Sequence, residues 1–212
     1  STSRRQRQMC IRDRRSVLLT GSNASGKSTF IKTVALNAIL AQTLHTVLAE
    51  NYQASWFCIA SSMALRDDIL SQESYYIVEI RSLKRILDLT RLSELPVLCF
   101  IDEVLRGTNT VERIAASSRI LQAIAEQGGL CFAATHDIEL TYLLEKEYDN
   151  YHFEEQVEDD KVTFDYCLHE GRACTRNAIR LLKMLGYDEK IVDDANERVA
   201  LFLKSGNWVS SH

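Results

Sequence analysis

The segment that most constrains this chain is Val17-Leu18-Leu19-Thr20-Gly21-Ser22-Asn23-Ala24-Ser25-Gly26-Lys27-Ser28-Thr29. It joins an apolar run, a glycine-bounded loop of fixed length and the start of a long helical run. Gly21, Gly26, Lys27 and Ser28 satisfy G-x-x-x-x-G-K-[ST], the spacing of a phosphate-binding loop. A loop of that length curls so that its backbone N–H groups point inward at an anion. The helix opening at Lys27 adds unsatisfied N–H groups and the positive end of its dipole. Lys27 is expected to reach the β- and γ-phosphates of a nucleotide, and the Ser28 hydroxyl to hold Mg²⁺. A chance Gly/Ser-rich turn would need neither the apolar strand before the loop nor the helix after it.

The rest of the chain alternates in the same way. Residues 30–48 form a helical run with apolar side chains on several faces (Phe30, Ile31, Val34, Leu36, Ile39, Leu40, Leu44), which predicts a buried helix. Residues 56–60 read as a strand. Residues 76–89 read as a helix, with Ile80, Leu83 and Leu87 three and four apart. The apolar runs 97–101 and 130–134 suit parallel strands covered on both faces. A helix over 111–127, stopped by Gly128-Gly129, separates them, and a shorter helix over 138–147 follows. Strands are expected over 148–157 and 162–168, joined by an acidic solvated turn, Glu158-Asp159-Asp160-Lys161. Helices over 177–185 and 189–203, split by Gly186-Tyr187-Asp188, complete an α/β sandwich with a helix pair at its end. That pair reads as packing or dimerisation rather than a DNA-reading helix-turn-helix, because Asp193, Asp194 and Glu197 lie on its second helix.

Three parts are expected. Residues 1–14 are a basic tail, disordered or non-native, with a nucleic-acid arm as the alternative. Residues 15–170 are the nucleotide-binding core, and residues 171–207 a helical segment packed on the core or on a partner. The tail carries Arg4, Arg5, Arg7, Arg12 and Arg14, yet the whole chain has a net charge of −4, which argues against a dominant basic surface for DNA. Cys58, Cys99 and Cys131 lie inside apolar runs and read as buried thiols of a reducing, cytoplasmic compartment. No apolar run approaches membrane-spanning length, so no membrane partner is expected.

The candidate chemistry sits where the apolar strands end. Asp102 and Glu103 close the run 97–101. Ligands of open α/β sheets bind at such carboxyl ends. Asp102 is the expected Mg²⁺ ligand together with Ser28, and Glu103 the expected general base for an attacking water. His136 ends the run 130–134 and is expected to hydrogen-bond the γ-phosphate or that water. The catalytic set is therefore Lys27, Glu103 and His136.

Together these motifs resemble the ATPase domain of the MutS mismatch-repair family, a branch of the ABC-type ATPases. Thr20 to Thr29, including Asn23, resembles its phosphate loop. Ser71-Gln72-Glu73-Ser74-Tyr75-Tyr76-Ile77-Val78-Glu79 resembles its signature region. Asp102-Glu103-Val104-Leu105-Arg106-Gly107-Thr108-Asn109-Thr110 resembles its Walker B and dimer-loop segment, and Ala134-Thr135-His136 its switch histidine. Ala24-Ser25 in place of Met-Gly, and Val104-Leu105 in place of Ile-Gly, point to a divergent MutS-like branch. The resemblance implies a P-loop NTPase of the ABC-ATPase type with a mixed central sheet flanked by helices. It implies ATP and Mg²⁺ as cofactors and hydrolysis of ATP coupled to DNA mismatch repair or related DNA remodelling. It also implies a homodimer with composite nucleotide sites, in which Ser74, or else Ser71, of one domain faces the phosphates held by the other. DNA contact would come from regions outside this chain. The competing readings are another ABC-type ATPase (a transporter or chromosome-structure subunit), disfavoured because no Leu-Ser-Gly-Gly-Gln occurs, and a non-hydrolysing ATP-gated dimerisation module.

Overall fold

The computed structural model describes residues 15–22, 25–63, 75–105, 108–158, 161–173 and 178–207. The basic tail, Asn23, Ala24, Ser71 and Ser74 lie outside them. Strands β1 (Ser16–Thr20), β2 (Cys58–Ser62), β3 (Val97–Asp102), β4 (Leu130–Ala134), β5 (Tyr148–Glu158) and β6 (Lys161–Glu170) form one sheet in the order β2-β3-β4-β1-β5-β6. The first five pair in parallel. β6 follows β5 within two residues, a connection short enough only for antiparallel pairing, so the sheet is mixed.

Helix α1 (Lys27–Leu44) covers one face, while α2 (Tyr75–Leu92), α3 (Thr110–Glu126) and α4 (Glu139–Leu143) cover the other. The period of two along each strand divides the core accordingly. Leu98 and Phe100 of β3 pack with Ile31, Ala35 and Ala38 of α1. Cys99 and Ile101 pack with Leu83 and Ile86 of α2 and with Leu121 and Ile124 of α3. Continuous apolar runs on β3 and β4 are thus the expected consequence of helices on both faces.

Helix α1 departs from expectation. It ends at Leu44, where His45 takes a left-handed conformation (φ 52°), and not at Leu48. It is also not buried all round, since Leu36, Ile39 and Leu44 are exposed. As the helix on the outside of one sheet face, it buries its small residues Ala35 and Ala38 and leaves the opposite stripe outward. Strand β2 begins two residues later than expected and leaves Trp56 exposed, and α4 is one turn rather than ten residues. Cys99 and Cys131 are fully buried and stand opposite each other in register, whereas Cys58 is only half-buried. Contact with Cys131 and burial push the Cys99 thiol up, so it stays protonated.

The chain divides into two compact units. Residues 1–154 with 166–173 form the first, and residues 155–165 with 174–212 the second. In the second, α5 (Ala178–Met184) and α6 (Glu189–Ser205) meet at Gly186-Tyr187-Asp188. Gly186 is left-handed (φ 79°), and its N–H and that of Tyr187 return to the carbonyls of Lys183 and Leu182. This is a Schellman stop. Asp188 then caps α6 by accepting from the Lys190 N–H at 2.8 Å.

The same stop ends α3. Gly128 and Gly129 donate to the carbonyls of Ala125 and Ile124. A Cβ on Gly129 would stand 2.9 Å from the Ile124 carbonyl oxygen, from Ile124 Cγ2 and from Thr90 Cγ2. Gly129→Ala is therefore expected to cost about 1–3 kcal/mol by overpacking where α2 meets the end of α3. Urea unfolding measures it, and an unshifted midpoint would refute the packing described.

Candidate functional site

Parallel register assembles the site. Asp102, Ala134 and Leu19 lie in one row across β3, β4 and β1. Whatever follows each of them emerges at the same sheet edge: Glu103 after β3, Thr135-His136 after β4, and Thr20-Gly21 after β1. Two further bonds extend the ladder past the strands, from the Glu103 N–H to Ala134 O (3.0 Å) and from the Thr135 N–H to Leu19 O (2.9 Å).

The loop after β1 needs its glycines. Gly21 has φ 136° and Gly26 φ 110°, both outside the range of ordinary side-chain-bearing residues. Gly26 is the N-cap of α1 and supplies no side-chain cap, so the opening turn of that helix keeps N–H donors for another acceptor. Lys27 is only 5% exposed. Its Nζ folds back to donate to the carbonyls of Gly21 (2.8 Å) and Ser22 (2.6 Å). Ser28 is half-buried and Thr29 exposed. The Ser22 and Ser25 hydroxyls and Asp102 Oδ1 are buried with no hydrogen-bond partner among the described residues. Buried polar atoms without partners carry a desolvation cost, and an anion at the loop and a cation at Asp102 are what their chemistry would accept.

Two of the expected catalytic side chains meet. His136 Nε2 and Glu103 Oε1 are 2.9 Å apart. An ionised Glu103 can only accept, so Nε2–H is then the donor, which sets the imidazole tautomer. The loop carrying His136 is pinned from behind. Arg113 on α3 makes a bidentate pair with Asp137, Nε to Oδ2 at 2.8 Å and Nη2 to Oδ1 at 2.6 Å. The Asp137 carboxylate holds the Arg113 guanidinium above its usual pKa range. Thr135 Oγ1 accepts from the Asp137 N–H at 3.0 Å.

Sequence reading gave no site role to Arg113, Asp137 or the aromatic residues beside the loop, and named the buried Glu79 only as the last residue of the stretch that resembles a signature region. Phe153 and Phe30 meet edge to face with ring centroids 5.9 Å apart. Tyr166 is 66% exposed, has φ 51°, and presents Cδ1 3.4 Å from where a Gly26 Cβ would stand. No spacing signals these neighbours, because they arrive through the pairing of β1, β5 and β6.

A glycine-bounded loop, a strand-end carboxylate pair and a histidine at one edge of a mixed, helix-flanked sheet define the class of domain. The chain belongs to the MutS domain V family, whose model matches residues 17–202. It is 34% identical over 184 residues to the DNA mismatch repair protein MutS of Natronomonas pharaonis, an alignment covering 85% of this chain and 21% of that protein. It is 31% identical over 181 residues to the protein of the same name from Thermus thermophilus, with 84% and 22% covered. It is 32% identical over 200 residues to the DNA mismatch repair protein MutS 2 of Halobacterium salinarum, with 87% and 22% covered. The chain thus spans about a fifth of the length of these curated relatives.

The loop geometry carries its own test. A Cβ on Gly21 would lie 2.7 Å from the Phe153 backbone oxygen, at a φ that side chains rarely adopt. Gly21→Ala is expected to lower stability by about 1–3 kcal/mol through strain and overlap with β5. Thermal unfolding without ligand checks it, and an unchanged midpoint would mean that the loop does not lie against β5 as described.

Proposed function

We propose that this domain binds ATP with Mg²⁺ and hydrolyses it, as the motor of a divergent MutS-like protein acting on DNA. The observation that carries the reading is the shared sheet edge, where a glycine-bounded loop with a buried lysine, an Asp102 oxygen with no hydrogen-bond partner among the described residues, and a Glu103–His136 contact come together. Family membership supports the P-loop, ABC-type assignment.

In this reading the loop from Gly21 to Thr29 wraps the phosphates with backbone N–H groups, and Lys27 exchanges its carbonyl partners for phosphate oxygens. Ser28 and Asp102 would hold Mg²⁺, a cation satisfied by few protein ligands. Bound there, it would neutralise charge on the phosphate oxygens. Glu103 takes a proton from the attacking water as the bond to the terminal phosphorus forms and the bond to the ADP oxygen breaks. His136 orients the Glu103 carboxylate through Nε2. Tyr166 offers an exposed aromatic face beside Gly26 against which a purine could stack.

Two copies would pair through this domain, Ser74 or Ser71 of one facing the phosphates held by the other. Mismatch repair, or another DNA-remodelling task in a cytoplasmic setting, would draw its DNA contacts from the rest of a longer protein.

Two variants separate binding from chemistry. Lys27→Ala removes charge-assisted hydrogen bonds and is expected to weaken a non-hydrolysable ATP analogue by about 10- to 100-fold in calorimetric titration. Glu103→Gln keeps the size and an acceptor oxygen but cannot take the proton. It is expected to retain the analogue and to slow magnesium-dependent phosphate release by roughly 10²–10⁴-fold. Undiminished affinity in Lys27→Ala would remove the loop assignment. Wild-type-like turnover in Glu103→Gln would remove Glu103 as the base.

A further inference from the structure

Just past β3 the backbone does something that non-glycine residues seldom do twice. Glu103 and Leu105 are both left-handed, with φ 63° and 56°. Such conformations are strained for residues other than glycine and persist only where the surroundings over-determine them. For Glu103, the bond from its N–H to Ala134 O supplies one restraint. For Leu105, the restraint comes from a different layer. Its N–H donates to Glu79 Oε1 at 2.5 Å, and Glu79 sits one turn into α2.

Glu79 is 1% exposed. Burying a glutamate to that degree carries a desolvation cost, which the bond to Oε1 offsets in part, since Oε2 has no hydrogen-bond partner among the described residues. An apolar side chain would suit the packing better, as Leu83 and Ile86 of the same helix do where they join Val104 and Leu105 in one core cluster. What Glu79 adds over such a residue is an acceptor aimed at the backbone of the 103–105 turn. That turn decides which way the Glu103 side chain leaves the strand, and it leaves toward His136, 2.9 Å away.

We propose that Glu79 is a positioning residue for Glu103: by accepting from the Leu105 N–H it holds the left-handed turn that keeps the Glu103 carboxylate on His136. The inference rests on Glu103 being the general base. It makes α2, on one face of the sheet, a structural support for the chemistry at the sheet edge.

The test uses the full chain. Glu79→Met keeps the length but removes the acceptor, and Glu79→Gln keeps an acceptor oxygen. In Glu79→Met, kcat is expected to fall about 10- to 100-fold, the range of a misplaced catalytic group, with KM and analogue affinity nearly unchanged. Glu79→Gln restores most of the loss. In a Glu103→Gln background, Glu79→Met adds almost nothing, because it acts through the group already disabled. Without nucleotide, amide exchange in peptides covering 103–105 is expected to rise at least about tenfold in Glu79→Met, the weight of one backbone bond, while peptides from β1 and β4 keep their rates.

Unchanged exchange at 103–105, a full additional loss in the Glu103→Gln background, or a fall in affinity with kcat intact would each overturn the proposal. If the wild type hydrolyses no ATP, the base reading fails. Amide exchange then decides by itself whether Glu79 holds the turn. Should Glu79→Met not fold, Glu79→Asp, one methylene too short to reach, takes its place under the same criteria.

Discussion

Everything at this site depends on the parallel register of β3, β4 and β1. Because Asp102, Ala134 and Leu19 share a row, three chain segments far apart in sequence leave the sheet side by side. The register in turn depends on burial. A shift of one residue would turn the side chains of β3 and β4 to the opposite faces, breaking two cores at once. Phe100 stacks on Phe132 on the α1 side, with centroids 5.6 Å apart, while Cys99 and Cys131 pair on the other. Packing that looks merely structural therefore sets the position of the catalytic candidates.

The site is built largely on buried polar groups, and the Ser22 and Ser25 hydroxyls and Asp102 Oδ1 have no hydrogen-bond partner among the described residues. Lys27 donates to two carbonyl oxygens of its own loop, an arrangement that a phosphate could replace without new desolvation of the ammonium group. Asp102 keeps a buried oxygen with no hydrogen-bond partner among the described residues, while Arg113 is bonded to Asp137 and Glu79 Oε1 to the Leu105 N–H. Arg113 and Asp137 meet through both of their polar edges, whereas Glu79 supports its turn through Oε1 alone. Preorganised donors of this kind need little rearrangement when charge develops.

Much of this was legible in the chain, for local reasons. The glycine spacing of residues 21–26 specifies the positive φ values found there, and Gly128-Gly129 and Gly186-Tyr187 terminate helices by the bonding pattern their composition suggests. The apolar runs of β3 and β4 marked strands covered on both faces, and their ends marked Asp102, Glu103 and His136. What was not legible depends on tertiary neighbours. The exposed stripe of α1 looked like core because Leu36, Ile39 and Leu44 carry no sign of which face meets the sheet. Glu79 was named only as the end of the stretch that resembles a signature region, and only the turn packed against it reveals its bond to the Leu105 N–H. Arg113 and Asp137 are 24 residues apart with nothing in the intervening sequence to pair them. Tyr166 reaches Gly26 only through the far strand of the sheet.

The central claim is that the loop after β1 is a triphosphate site completed by the ends of β3 and β4. The most direct measurement is a crystal structure of the chain with Mg²⁺ and a non-hydrolysable ATP analogue. The account predicts the triphosphate inside the curve of residues 21–29, Lys27 Nζ moved from the carbonyls of Gly21 and Ser22 to phosphate oxygens, and the metal held by Ser28 and Asp102. An analogue bound elsewhere, or a Lys27 still bonded to its own loop beside a bound analogue, would contradict it.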